Sequence, residues 1–348
     1  MFYLNSATVI LFTFFSLSGI TAPASESCPP CKICPKCPDL IDKELENKDL
    51  QDRNLRDKEP LDQEIEASSN EGIKVLTYNI CWECLSNSSS GTAGNLGKQC
   101  LWTKKNNVKV TTCAVNMANT IDETSAHYGG LQRPFDFVGL QEAKHSADAL
   151  QRMSEALENL YVVDPNSGLL SFYNGAKYTL RHKISSSFSS GRPILILIFK
   201  EKFIFVNVHA PHIKSNNRQF FEEKLSEALQ SRLGKDEIAA LKDHRIIVVG
   251  DFNDHRNALT IDEKAGKYFV PFRNAGLMTP VFLENTDDLG ACCSTRIPYE
   301  KNKRLLKGDY IFDSVSKKDS SKFYLKVPSN YDYTKPGSDH LPVIYLAK

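Results

Sequence analysis

A layered α/β domain is the fold that the sequence predicts for residues 72–348, on three observations. Seven short runs rich in Val, Ile and Phe recur along this stretch, amphipathic helical patterns fall between them, and no internal repeat points to a solenoid or propeller. With 41% hydrophobic residues in 348, the chain can bury a substantial core.

The N-terminal elements stand apart from this domain. Residues 7–20 (ATVILFTFFSLSGI) are uncharged and apolar, and Ala22-Pro23-Ala24 gives the small-x-small pattern of a cleavage site. A secretory signal peptide over 1–24 is therefore expected, although no Lys or Arg precedes the run. An uncleaved membrane anchor is the alternative, but the run is short against the roughly 20 residues of a spanning helix. Cleavage would leave the protein secreted or luminal, with no stable membrane insertion.

Residues 25–71 are expected to form a Cys-rich segment and a charged linker. Cys28, Cys31, Cys34 and Cys37 lie in CPPCKICPKC, where Pro29, Pro30, Pro35 and the following Pro38 keep the chain extended. Paired CxxC units suggest zinc in a reducing compartment. The secretory signal favours disulfides instead, including disulfide-linked self-association. Residues 39–71 carry twelve acids and five bases and no aromatic. Leu40, Leu45, Leu50, Leu55 and Leu61 follow neither a heptad nor a 3.6 repeat, so a solvated linker is expected rather than a coiled coil. The balance of charge is then basic: 72–348 holds 36 Lys and Arg against 29 Asp and Glu, which favours an anionic partner.

Within the domain, strands are expected at 74–79, 136–141, 193–199, 203–209, 245–250, 309–313 and 342–346. Helices are expected at 146–160, opened by Ser146, and at 219–232. Most strands abut a polar residue of a type that binds metal or moves protons. Asn79 ends the first, Glu142 follows the second, His209 ends the fourth, and Asp251 with Asn253 follows the fifth. Asp309 opens the sixth, and Asp339-His340 precedes the last. Any one of these would pass for a turn residue. Together they suggest convergence at one edge of a sheet.

The segments LTYNI (76–80), FVGLQE (137–142), VNVHAPH (206–212), VVGDFND (248–254), KGDYIF (307–312) and GSDHLPV (337–343) occur in this order. In them the domain resembles the endonuclease/exonuclease/phosphatase superfamily, the deoxyribonuclease-I-like fold. The resemblance implies a four-layered α-β-β-α sandwich of two packed mixed sheets and a metal-dependent hydrolase acting on phosphoric esters. DNA is the substrate it favours, with lipid headgroups, as in sphingomyelinases or phosphoinositide phosphatases, or a non-catalytic binding module as alternatives. It also implies roles. Glu142 would be the principal ligand of Mg²⁺ (or Mn²⁺, with Ca²⁺ as a structural ion), with Asn79 beside it and Asp339 as a second ligand or an orienting group. Asp251 would orient or deprotonate water, Asn253 would donate to a phosphoryl oxygen, and His340 would act as general acid or base. Asp309 would fix the tautomer of His209 or His340, a choice left open. Lys144 and Arg192 are candidate phosphate contacts. Tyr173 and Tyr178 are weaker candidates, in a segment where an expected supporting acid is missing. Lipid-acting relatives add an exposed apolar hairpin, and none is evident.

Six further cysteines, Cys81, Cys84, Cys100, Cys113, Cys292 and Cys293, are expected to form disulfides that hold a 19-residue polar loop at 85–103. Their 15 pairings stay open. Asn87-Ser88-Ser89 is an N-glycosylation sequon. The basic stretch from Arg296 to Lys307 is a candidate track for a phosphate backbone.

Overall fold

The computed structural model describes residues 72–90, 94–128, 134–143, 146–212, 218–254, 259, 268–283, 308–315, 323–326 and 337–347. The signal peptide, the CxxC cluster, the charged linker, Lys144, Cys292, Cys293 and the basic stretch 296–307 lie outside these residues.

In chain order the elements are β1 (Ile73–Asn79), α1 (Trp82–Ser86), α2 (Gly94–Gly97), β2 (Trp102–Lys105), β3 (Val108–Thr111), α3 (Thr112–His127), β4 (Phe137–Gln141), α4 (Ala147–Met153), α5 (Glu155–Glu158), β5 (Tyr161–Val163), β6 (Leu170–Tyr173), β7 (Leu180–Ser187), β8 (Pro193–Phe199), β9 (Phe203–His209), α6 (Arg218–Gln230), α7 (Lys235–Ala239), β10 (Arg245–Asp251), β11 (Phe282–Leu283), β12 (Asp309–Asp313), β13 (Phe323–Lys326) and β14 (Val343–Ala347). They build two six-stranded sheets, ordered β13-β14-β1-β4-β6-β5 and β11-β12-β10-β9-β8-β7, and a separate β2-β3 hairpin. Both sheets are mixed. β1–β4 and β9–β10 pair in parallel, and the other strand pairs run antiparallel.

The period-2 alternation of strand side chains decides what each face buries. Leu76, Tyr78, Val138 and Leu140 face outward from the first sheet, onto α3, α4 and α5. Ile196, Ile198, Val206 and Val248 face outward from the second, onto α6 and α7. Their neighbours in sequence, Val75, Phe137, Leu195, Leu197, Phe205, Ile247 and Val249, fill the space between the sheets. The result is four layers. Strands covered on both faces read as continuous apolar runs, which is why PILILIF and RIIVV are visible in the sequence.

The inter-sheet layer also holds a polar seam. Asn207 on β9 donates through Nδ2 to the Leu170 carbonyl of β6 at 2.9 Å, and its Oδ1 accepts from Gln141 Nε2 of β4 at 2.8 Å. Gln141 Nε2 also donates to Thr77 Oγ1 at 3.1 Å. A Cβ added at Gly139 would meet Val249 Cγ2 of the opposite sheet at 2.5 Å, so the sheets touch there only because the side chain is hydrogen. At the far end of the strands, Arg245 forms a forked ion pair with Asp313, and Tyr345 on the other sheet donates to the same carboxylate at 2.7 Å. Tyr173 and Tyr178 are buried in the aromatic cluster around Phe137 and Phe199. Tyr178 donates to Asp136 at 3.2 Å, so both tyrosines belong to the core.

Three expectations are corrected. The helix foreseen at 146–160 breaks at Ser154 into α4 and α5. The Ser154 hydroxyl bonds Asp122 at 2.6 Å, and Ser146 caps nothing, since its hydroxyl donates to the Ala143 carbonyl. The loop foreseen at 85–103 contains the end of α1 and α2, and it runs into the hairpin. The Asn87 amide nitrogen of the sequon donates to the Cys100 carbonyl at 2.7 Å. Two disulfides hold this region, Cys81–Cys84 and Cys100–Cys113.

Asn207→Ala should take its amide donor from the buried Leu170 carbonyl and one of three acceptors from the Gln141 amide, costing about 1–3 kcal/mol on the usual scale for an unsatisfied buried group. Gly139→Ala should cost about 1–3 kcal/mol by overpacking. Urea unfolding with an unchanged m-value would measure both. Wild-type stability in Asn207→Ala would show that the seam does not hold the sheets together.

Candidate active site

The C-terminal ends of β1, β4, β9 and β10, the start of β12 and the turn before β14 meet at one edge of the two sheets. The first sheet brings Asn79, Glu142, Asp339 and His340. The second brings His209, Asp251, Asn253 and Asp309. All except Glu142 are buried, and the Glu142 side chain is 20% exposed, so this carboxylate is the one that solvent ions reach.

Local backbone sets these positions. Gly250 has φ +145°, and a Cβ there would sit 2.0 Å from the Val208 carbonyl of the neighbouring strand. Only glycine lets β10 come close enough to β9 to set Asp251 beside His209, its pairing partner. Glu142 and Asn253 take left-handed backbone with φ +58° and +49°. That conformation is disfavoured for residues with a Cβ and is common where side chains are aimed at a site.

Asn79 links the sheets. Its amide nitrogen donates to Glu142 Oε1 at 3.3 Å and to Asp251 Oδ2 at 3.0 Å, while its Oδ1 accepts from the Cys81 N–H at 3.1 Å. Glu142 Oε2 accepts from the Trp82 N–H at 3.2 Å. Asp251 Oδ1 accepts from the Asn253 N–H at 2.8 Å. The Asn253 amide donates one hydrogen to the Ala210 carbonyl at 2.8 Å, and an amide nitrogen carries two.

Asp309 orients His340, which settles the tautomer left open by the sequence. A carboxylate can only accept, so His340 Nδ1–H donates to Asp309 Oδ2 at 2.9 Å, and Nε2 lies 3.9 Å from Asp251 Oδ2. His209 Nε2 lies 3.5 Å from Asp251 Oδ2 and 3.6 Å from Glu142 Oε1. Arg192, from the turn between β7 and β8, lies against both ring nitrogens of His209 and 3.8 Å from Glu142. Arg192 therefore reaches the site, whereas His212 is exposed.

The two imidazoles are pushed in opposite directions. Burial lowers the pKa of His209. Asp251 and Glu142 oppose that, but with Arg192 and His340 adding repulsion the value stays below the usual one. Burial also works against charge on His340, but Asp309, Asp339 and Asp251 outweigh it and raise the pKa well above normal. A neutral base and a charged acid thus face one carboxylate. Burial would raise Asp251, yet His340, His209 and the Asn253 and Asn79 donors hold it below the ordinary carboxylate value. Asp339 goes the other way. Burial raises it, His340 lowers it, and the negative charges of Glu142 and Asp251 raise it further, to about 6.

Crowded carboxylates with hard oxygen donors suit a divalent cation. Two positions offer themselves. Asp251, Asp309 and His340 each present a ligand atom within 4.8 Å of the others. That trio already holds the Nδ1 proton between Asp309 and His340. The acids Glu142 and Asp339 repel one another and include the accessible carboxylate, which makes them a second candidate place for a cation.

Two contributors carried no signal strong enough to be singled out from sequence. Ser338 donates from its hydroxyl to the Asn79 carbonyl at 2.6 Å and accepts from the His340 N–H at 3.1 Å, tying the two ends of the site together. It lies within GSDHLPV, two residues before His340, where a serine reads as an ordinary turn residue. The Trp82 amide contributes through its backbone alone, which side-chain chemistry cannot reveal.

No protein-family model matches the chain. The uncharacterized protein L684 of Acanthamoeba polyphaga mimivirus is 28% identical over 190 residues, which cover 52% of this chain and 35% of that protein. The match thus spans well under two thirds of the relative's length. Among solved structures, truncated Caenorhabditis elegans TDP2 is 11% identical with a TM-score of 0.46, over 79% of this chain and 97% of that one. An AP endonuclease from Archaeoglobus fulgidus is 13% identical with a TM-score of 0.44, over 79% of this chain and 99% of that one.

Millimolar Mg²⁺ or Mn²⁺ should raise the melting temperature, whereas NaCl of equal ionic strength should not. Ligand at a hundred times its Kd stabilises by about 2.7 kcal/mol, which for a domain of this size is about 5–10 °C. Glu142→Gln should abolish the shift. A shift that survives Glu142→Gln but is lost in Asp309→Asn would move the cation to the other trio.

Proposed function

We infer that this chain, which folds as a member of the endonuclease/exonuclease/phosphatase superfamily, is a divalent-metal-dependent hydrolase of phosphoric ester bonds, with DNA as its first candidate substrate. The observation that carries the reading is the buried Asp309–His340 pair facing Asp251, beside the accessible Glu142 and the Arg192 guanidinium. Phosphoryl transfer requires neutralised charge, a held water and a proton route at one place. These residues supply all three.

Glu142 and Asp339 would hold the cation, with Asn79 fixing Glu142 against Asp251. A bound Mg²⁺ or Mn²⁺ would polarise a phosphoryl oxygen and offset its charge. Asp251 is placed to orient the attacking water and take its proton. Asn253 and Arg192 are placed to donate to the phosphoryl oxygens, and a guanidinium can do so through two N–H groups at once. His340, its Nδ1 held by Asp309, presents Nε2 for proton transfer, and His209 stands as a second group beside Asp251.

DNA as substrate is supported by the excess of basic residues over 72–348 and by the two-histidine site. A secretory route is supported by the apolar run at 7–20, and the two disulfides at the rim of the site fit an oxidising compartment. Under this reading the cysteines at 28, 31, 34 and 37 would serve association between chains, outside the catalytic unit.

The test is turnover of plasmid DNA, RNA and sphingomyelin with Mg²⁺, Mn²⁺, Ca²⁺ or EDTA. Activity should vanish in EDTA and return with Mg²⁺ or Mn²⁺. His340→Ala and His209→Ala should each lower kcat by about 10²-fold or more, the scale of lost general acid–base catalysis. His340→Ala should also lower the melting temperature, because it leaves buried Asp309 without its imidazolium, so kcat is compared below the unfolding transition. Undiminished cleavage in EDTA after dialysis would sink the metal-dependent reading. Cleavage of sphingomyelin alone would move the substrate to lipid headgroups.

A further inference from the structure

The chain has two tryptophans, and both are exposed: Trp82 by 40% on α1 and Trp102 by 51% on the β2-β3 hairpin. Leu101 beside the second is 63% exposed. Single exposed apolar residues are ordinary, and it is what surrounds Trp102 and Leu101 that distinguishes this surface.

The hairpin has two unlike faces. The antiparallel register pairs Trp102 with Thr111, Thr103 with Val110, Lys104 with Lys109 and Lys105 with Val108. Val110 and Val108 pack inward on the core, and Lys105 bonds Asn119 of α3 at 3.1 Å. The outward face carries Trp102, Lys104 and Lys109, and Lys109 Nζ lies 5.1 Å from the Trp102 ring centroid. Exposed Lys98 lies just before the hairpin. Like charges directly opposite on a hairpin cost stability. None of Lys98, Lys104 and Lys109 has a carboxylate within 4.0 Å among the described residues.

A lone two-stranded hairpin is marginal in water, and this one is fastened. The Cys100–Cys113 disulfide closes its base, Thr111 Oγ1 donates to the Cys84 carbonyl of α1 at 2.7 Å, and Asn106 at its tip donates to the Arg152 carbonyl at 2.9 Å. α1 is five residues, about 7 Å of helix at 1.5 Å per residue. It starts at Trp82, whose N–H holds Glu142. The cationic, aromatic face is therefore joined to the candidate active site through one short rigid element.

We propose that the outward face of the β2-β3 hairpin is a docking platform for single-stranded nucleic acid, a base stacking on Trp102 while Lys98, Lys104 and Lys109 meet the phosphates. The proposal deepens the hydrolase reading and rests on it for its place beside the site. An aromatic ring flanked by cations is the combination that binds single strands without sequence preference. A hairpin that enters a membrane carries its apolar residues at the tip. Here the tip is Asn106-Asn107, in the doubly left-handed turn that asparagine favours, and the tryptophan sits at the base.

The experiment measures equilibrium binding of the full chain to a short fluorescein-labelled single-stranded DNA in EDTA, which prevents cleavage. Wild type is compared with Trp102→Ala and with Lys104→Glu/Lys109→Glu. Trp102→Ala should weaken binding about tenfold. The double reversal should weaken it by at least as much and lower the slope of log K against log salt by about 1.4, two phosphates' worth. Turnover of bis(p-nitrophenyl) phosphate with Mg²⁺ should match wild type, which also certifies that the variants fold. Unchanged DNA affinity in both variants overturns the proposal, as does hairpin-dependent binding to phosphatidylserine vesicles with DNA binding intact. If no phosphoester is hydrolysed and yet both variants, with the wild-type melting temperature, bind DNA weakly, the platform stands and the hydrolase reading falls. If hydrolysis is robust and the variants bind like wild type, the platform alone falls.

Discussion

Every feature of the candidate site depends on how one sheet is registered against the other, and the buried amide of Asn207 sets that register. It grips the backbone of β6 and the side chain of Gln141, next to the close approach of the layers that Gly139 allows. An apolar interface is non-directional and tolerates sliding. Amide hydrogen bonds in a dry layer do not, because a shift of one residue would leave several polar atoms unmet. The same strands carry Glu142 and His209 at their ends, so the bonds that lock the layers also fix the distance between the two halves of the site.

This division of labour makes the site electrostatically tense. Glu142 and Asp339 come from one sheet and Asp251 and Asp309 from the other, and packing forces their charges together. The tension is resolved unequally. Asp309 is matched by His340, Asp251 is surrounded by donors, and Asp339 is left with its charge least compensated. His209 and His340 sit on either side of Asp251 yet hold protons with opposite tenacity, because burial prevails at His209, with Arg192 adding repulsion, whereas Asp309 and its fellow acids outweigh burial at His340.

The sheet cores and most of the site were legible in the sequence for one physical reason. A strand covered on both faces must be apolar throughout, so a polar residue at its end stands out. Asn79, His209, Asp251 and Asp309 are visible in that way. Outside the two central strand groups the helix at Arg218–Gln230 was legible from its apolar period, but other elements were not. α3 has only a shallow apolar stripe, and β7 (LRHKISSS) is mostly polar, with Leu180 and Ile184 as its apolar residues. The break at Ser154 depends on Asp122, a partner 32 residues away. The orienting role of Asp309 follows from the direction of its side chain relative to two histidines, which no local pattern encodes.

β14, last of the described strands, does not lie at an edge. It is inserted between β13 and β1, pairing Ala347 with Ile73, and Ser338 reaches back 259 positions to the Asn79 carbonyl. Closing so long a loop is paid in chain entropy before any contact rewards it. During synthesis the first strand therefore waits for the last, with an edge of its hydrogen-bonding groups unpaired. Until residues 337–347 leave the ribosome, Asp309 has no imidazole to hold, and a nascent chain carrying most of the site is chemically incomplete.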